Sequence, residues 1–211
     1  MKRVGLARAQ DDAMSRAVSA AGWEPVTFRV TTLEATGAPA PHPRPDGVIV
    51  LSPAAARLAQ IPPGVPCLAQ GAATARALEG RQVVTSAIPQ AEGLVQLLKD
   101  RFPGGGTFLL ARAERSREHL EEALRGTPWT VLPWITHREV PLDPPPELPD
   151  LDAMLALSPL QAEVLGPLSG DRLRLAWGER TDRAFAQVGY PSHGWCEPHL
   201  SALQQLLSSR G

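Results

Sequence analysis

Several things are scarce in this chain, and each scarcity removes a class of function. Cysteine occurs only at Cys67 and Cys196, far apart and outside any CxxC, which argues against a disulfide framework. Neither charge sign is in excess: 21 Lys and Arg face 22 Asp and Glu, a net of −1. Nothing global therefore draws the protein to nucleic acid or to an anionic membrane. No apolar run reaches the roughly 20 residues a membrane helix needs. The opening MKRVGLARAQDDAM turns acidic before a signal-peptide core develops, so a cytoplasmic protein is expected. Aromatics make up 5% of the chain, whereas Ala, Arg and Pro are abundant. No GxSxG, HExxH or GxGxxG is present, and the PGGG at 103–106 lacks the Gly-Lys-Ser/Thr of a phosphate loop. Hydrolase, zinc-protease and dinucleotide readings thus lack support. His193, Cys196 and His199 stand close together but without an evident fourth ligand, so no metal site is expected.

What is present is a repeat. DGVIVLSPAAARLA (46–59) followed by PCLAQGAATARALEG (66–80) matches DAMLALSPLQAEVL (152–165) followed by LRLAWGERTDRAFAQVG (173–189). In each copy an apolar run ends in Leu-Ser-Pro ahead of a helical stretch, and a second run ends in Gly-x-x-Thr ahead of another. Ser52 precedes Gly71 by 19 positions and Ser158 precedes Gly178 by 20. Such self-similarity predicts two similar α/β modules.

Around the repeat, RVGLAR (3–8) reads as a buried strand and 11–22 as a helix, capped by Asp11 or Asp12 and closed by Gly22. The β-branched stretches 23–35 and 130–142 each read as one long strand. Proline-rich segments at 36–45 and 143–150 read as linkers. Between them run strands 47–51, 66–70, 82–86 and 107–111, alternating with helices 53–60, 72–79, 90–102 and 116–125, the last capped by Ser116. After 150 come strands 152–158, 172–177 and 194–197, with helices 159–168, 180–188 and 199–210. The first βα unit is too small to fold alone, so it is expected to join the C-terminal block. The predicted domains are 1–30 plus 143–211, interrupted by 36–129, with 31–35 and 130–142 as linker strands.

The motif pairs and this interrupted order resemble the uroporphyrinogen-III synthase family over nearly the whole chain. The likeness rests on Arg8, Ser52-Pro53, Ser158-Pro159, Gly71 to Thr74 and Gly178 to Thr181. It also rests on AEGLVQLL (91–98), LLARAERSREHLEEAL (109–124), HREVPL (137–142) and the closing EPHLSALQQLL. The resemblance implies two parallel-sheet, flavodoxin-like α/β domains joined by a two-stranded β linker, with substrate in the cleft between them. It implies no need for a metal or organic cofactor. Nothing in the sequence points to an obligate oligomer, so a monomer is expected. The substrate would be hydroxymethylbilane, a linear tetrapyrrole with eight carboxylates. The enzyme would remove its terminal hydroxyl as water, invert the last pyrrole ring through a spiro intermediate and close the macrocycle.

Residue types at the motifs suit that chemistry. Helix N-termini bind carboxylates through free N–H groups and a partial positive charge, and α/β sheets place ligands at strand C-termini. Ser52, Thr74, Ser158 and Thr181 stand at or near helix starts, where a hydroxyl either caps the helix or donates to a carboxylate. Arg8, Arg112 and Arg117 are candidates for direct carboxylate pairing. His137 stands where the family usually carries a tyrosine, and a protonated imidazole there is a candidate acid for the departing hydroxide. Ala7 and the Leu51 and Leu157 of the Leu-Ser-Pro motifs replace family threonines. A catalytically degenerate relative that binds a tetrapyrrole or other polyanion without turnover is the alternative expectation.

Overall fold

The computed structural model describes residues 1–8, 12–88, 91–115 and 119–210. The chain begins with β1 (Arg3–Ala7), α1 (Asp12–Ala20) and β2 (Glu24–Phe28). Its middle holds β3 (Thr31–Ala35), β4 (Gly47–Val50), α2 (Pro53–Leu58), β5 (Cys67–Ala69), α3 (Ala72–Ala77) and β6 (Val83–Thr85). There follow α4 (Ala91–Arg101), β7 (Gly106–Ala113), α5 (His119–Ala123) and β8 (Trp129–Pro141). The last part adds β9 (Ala153–Ala156), α6 (Pro159–Leu168), β10 (Leu173–Trp177), α7 (Glu179–Gln187), β11 (Gly194–Cys196) and α8 (Leu200–Ser208). The cap expected at Asp11 and the Ser116 cap lie outside the described residues. Two compact units result, one of 1–32 with 140–211 and one of 33–139.

The first unit is a sheet in the order β11-β10-β9-β1-β2, with every pairing parallel. Read from β2, this is the 2-1-3-4-5 order of a flavodoxin-like sheet. Its strands are buried on both faces, which explains their unbroken apolar runs. Ala153 and Leu155 join Val4 and Leu6 in one core, under Met14 and Val18 of α1 and Leu203 and Leu207 of α8. The intervening Met154 and Ala156 pack on the other face against Ala162, Leu165, Ala184 and Phe185 of α6 and α7. This is the two-residue alternation of a pleated strand.

The second unit is a sheet in the order β3-β8-β7-β4-β5-β6. From β8 to β6 its pairings are parallel, and helices α2 and α3 cover one core while α4 and α5 cover the other. The two units match strand for strand, with the order permuted. β7 and β8, last in the second unit, take the places that β1 and β2 hold in the first. Leu6-Ala7-Arg8 accordingly matches Leu110-Ala111-Arg112. Trp23 and Trp129 also match. Each is buried beside a parallel strand and donates its indole N–H to a carbonyl near the end of a matched helix, Leu207 at 3.1 Å and Phe102 at 2.8 Å.

One strand expectation is corrected. The stretch 23–35 is two strands, because Val30 turns fully into the first unit's core. β2 before it pairs parallel to β1, and β3 after it lies at the other sheet's edge beside β8. The second long strand exists as β8, but Trp129 to His137 pair with β7, so most of it is an ordinary sheet strand rather than a connector. Thr36 N–H donates to Thr136 O at 3.0 Å within the second unit, and Leu142 N–H donates to Val30 O at 2.9 Å within the first.

The matched tryptophans give a test. Trp23→Phe and Trp129→Phe keep the apolar bulk and delete one hydrogen bond each. Each should lower unfolding free energy by about 1–2 kcal/mol in denaturant titration, since the abandoned carbonyl is left short of a partner.

Candidate functional site

Parallel strands bring their C-terminal ends to one edge. In the first unit Leu6, Leu155 and Leu175 lie side by side, so Arg8, Ser158 and Gly178 follow at that edge. In the second, Val50 sits beside Ala69 and Ala111, and Leu51-Ser52, Gly71 and Arg112 follow. Each sheet also has a switch point, where the chain leaves adjacent strands in opposite directions and a crevice opens. In the first unit it lies between β1 and β9, and in the second between β7 and β4. Arg8 and Ser158 flank the first switch point, and Arg112 and Ser52 flank the second. The sequence motifs single out these four positions, but not which two share a switch point.

The two serines form near-identical turns. Ser52 and Ser158 have extended backbones, with φ of −152° and −141° and ψ of 158° in both, and a proline follows each in the first helical turn. Ser52 Oγ accepts from Ala55 N–H at 3.1 Å, and Ser158 Oγ accepts from Gln161 N–H at 3.2 Å. Both are therefore N-caps. Capping uses a lone pair on the oxygen, and a hydroxyl can accept and donate at once.

The Gly-x-x-Thr turns differ. Gly71 and Gly178 are the N-caps, at φ of 87° and 95°, a region that favours glycine. Thr74 and Thr181 are buried within the helices. Thr181 donates its hydroxyl to Trp177 O at 3.1 Å, which engages its one proton and ties the helix to the strand end. Each of these hydroxyls is expected either to cap its helix or to donate to a substrate carboxylate; in this structure Thr181 Oγ1 donates to Trp177 O.

Arg112 Nε lies 3.2 Å from Glu121 Oε1 of α5, and the side chains are 10% and 18% exposed. The cation at the second switch point thus already faces one of the protein's own carboxylates. Arg117 lies outside the described residues. His137 sits on β8 just past an irregularity, where Arg112 pairs with Ile135 and Ala113 with His137. The extra residue, Thr136, places its Oγ1 3.0 Å from His137 Nδ1. His137 is only 3% exposed, and burial lowers its imidazole below the usual 6.5. It is neutral near pH 7.

One residue was missed by sequence reasoning. Gln161 is buried at the start of α6. Its Oε1 accepts from Leu157 N–H at 2.9 Å, and its Nε2 donates to Thr31 Oγ1 at 3.4 Å. A glutamine inside a repeated motif whose other copy has Ala55 was the available signal. His199 is the N-cap of α8, its Nδ1 accepting from Ala202 N–H at 3.2 Å, and His193 Nδ1 accepts from Arg174 N–H of β10 at 3.0 Å. Cys196 beside them is buried, and burial with the Glu197 charge pushes its thiol up to about 11. Among the described residues no group of three such side chains is placed to hold a metal ion, and no helix is long and apolar enough to cross a membrane.

The lowered His137 value sets a pH dependence. The unfolded imidazole takes up a proton near 6.5 and the folded one at lower pH. Stability is therefore full above that value and falls as pH drops through it. Denaturant midpoints should fall between about pH 7.5 and about pH 5, and His137→Gln should reduce the fall. An unchanged pH profile in that variant would contradict the assignment.

Comparison with known proteins adds the family. Residues 12–192 match the family model described as uroporphyrinogen-III synthase HemD. No curated protein sequence matches the chain. Among solved structures, the uroporphyrinogen-III synthetase of Helicobacter pylori is similar over the whole of both chains, at 15% identity and a TM-score of 0.62. This is a likeness of fold. The uroporphyrinogen III synthase of Thermus thermophilus aligns over the whole of both chains at 22% identity and a TM-score of 0.47. With the family model spanning most of the sequence, the chain belongs to the uroporphyrinogen-III synthase family.

Proposed function

We propose that the protein is a working uroporphyrinogen-III synthase, cyclising hydroxymethylbilane with inversion of the last ring and loss of water. The observation that carries this reading is the matched pair of switch points, each with an arginine at one strand end and a serine-capped, proline-led helix at the next. That arrangement suits a flexible polyanion. Carboxylates meet fixed N–H dipoles and hydroxyl protons rather than a broad basic surface, in keeping with the chain's net charge of −1.

In this reading the Ser52 and Ser158 hydroxyls donate to substrate carboxylates, and Arg8, Arg112 and Arg117 pair with others. A carboxylate approaching Arg112 competes with Glu121, so that contact is weaker than one to a solvated guanidinium. Thr74 and Thr181 serve the site by fixing the glycine turns beneath it. The acid step falls to His137. Neutral in the free protein, its imidazole is raised when anionic groups bind nearby, because an adjacent negative charge favours the protonated form. The reaction is read as a hydro-lyase step by a monomer in the cytoplasm, with no metal or organic cofactor.

The test is an assay with freshly generated hydroxymethylbilane. The type III isomer should form faster than the spontaneous type I isomer. Type I alone would overturn the proposal and leave the non-catalytic alternative. His137→Phe should slow type III formation about 100-fold, the scale of a lost general acid, and an unchanged rate would remove that role.

A further inference from the structure

The two Leu-Ser-Pro turns provide an internal control. They share a capping geometry, yet only one is braced from the side. In the second unit the third position after the serine is Ala55, buried and without polar atoms beyond its backbone. That turn forms with no side-chain brace from this position. In the first unit the same position is Gln161, 8% exposed. Burying a primary amide is unfavourable unless its groups are hydrogen-bonded, and folding of the turn does not require it. The amide does two things that alanine cannot. It holds Leu157 N–H at 2.9 Å, on the residue just before Ser158, and it reaches Thr31 Oγ1 at 3.4 Å. Thr31 begins β3, the strand along which the chain leaves the first unit.

We propose that Gln161 is a positioning residue for the synthase reaction. It locks the Leu157-Ser158 turn at the first switch point to the root of the departing strand, so that the Ser158 hydroxyl and the first N–H groups of α6 are held where a substrate carboxylate binds. The proposal rests on the synthase reading for the identity of the ligand. Among the described residues the second unit shows no counterpart to this lock, so the two switch points are unequal: one is fixed by an amide clamp and the other bears an arginine held by Glu121.

Three variants test it: Gln161→Ala, which installs the residue of the other copy; Thr31→Val, which removes the acceptor at nearly constant shape; and the double variant. Two readouts are needed, steady-state kinetics on hydroxymethylbilane and the Kd for uroporphyrin III, a stable cyclic octacarboxylate. Gln161→Ala should raise KM and Kd about tenfold, the scale of one well-placed hydrogen bond, with a smaller change in kcat. Thr31→Val should raise both in the same direction. The double variant should match Gln161→Ala, because the two single changes break one link. Turnover by the unaltered protein tests the synthase reading separately, and the uroporphyrin affinities judge the clamp whatever that turnover is. KM and Kd unchanged in Gln161→Ala, effects that multiply in the double variant, or no uroporphyrin binding by the unaltered protein would each overturn the proposal. A purely structural amide would lower the unfolding midpoint and leave Kd and KM of the folded protein alone.

Discussion

Parallel pairing is the constraint from which the candidate site follows. Strands that run the same way must all end at one edge, and the helices that return the chain must begin there. Helix starts carry donors that nothing inside the helix satisfies. A parallel sheet therefore accumulates unsatisfied N–H groups along one rim, and a protein of this class either caps them or binds something with them. Here the caps are serine hydroxyls and glycine turns. The serine oxygens accept from N–H groups of the first helical turn, whereas the Thr181 hydroxyl donates to Trp177 O.

Electrostatics at the two rims is also unequal. Arg112 is largely buried and ion-paired with Glu121, and a guanidinium in that state is held in place more than it is available. Removing one member of such a pair leaves an uncompensated charge. Glu121 is thus part of the scaffold that presents Arg112, although no motif singled it out. His137 is buried, with the Thr136 hydroxyl 3.0 Å from its Nδ1, and burial lowers its imidazole below the usual value.

Much of this architecture was legible in the sequence. The Leu-Ser-Pro and Gly-x-x-Thr echoes located four strand ends correctly, because capping chemistry is local and leaves a fixed residue signature. Alternation of strand and helix was legible for the same reason. What escaped was long-range. The halves are related by permutation, so Leu6-Ala7-Arg8 and Leu110-Ala111-Arg112 hold equivalent places although one opens the chain and the other lies mid-chain. A search for tandem copies passes over that match. The break at Val30 was hidden because β-branched residues run through it without a glycine or proline, and tertiary burial alone ends β2 there. Partners such as Glu121 for Arg112 and Thr31 for Gln161 depend on which elements pack together, and no spacing rule encodes them.

The hydrogen bond from Leu142 N–H to Val30 O at 2.9 Å carries a wider meaning. It shows that the chain leaves the first unit and returns to it through neighbouring residues. Excising residues 33–139 would need only a hairpin-length splice between them. The remainder would then read β1, β2, β9, β10, β11 without interruption, an ordinary stand-alone nucleotide-fold topology.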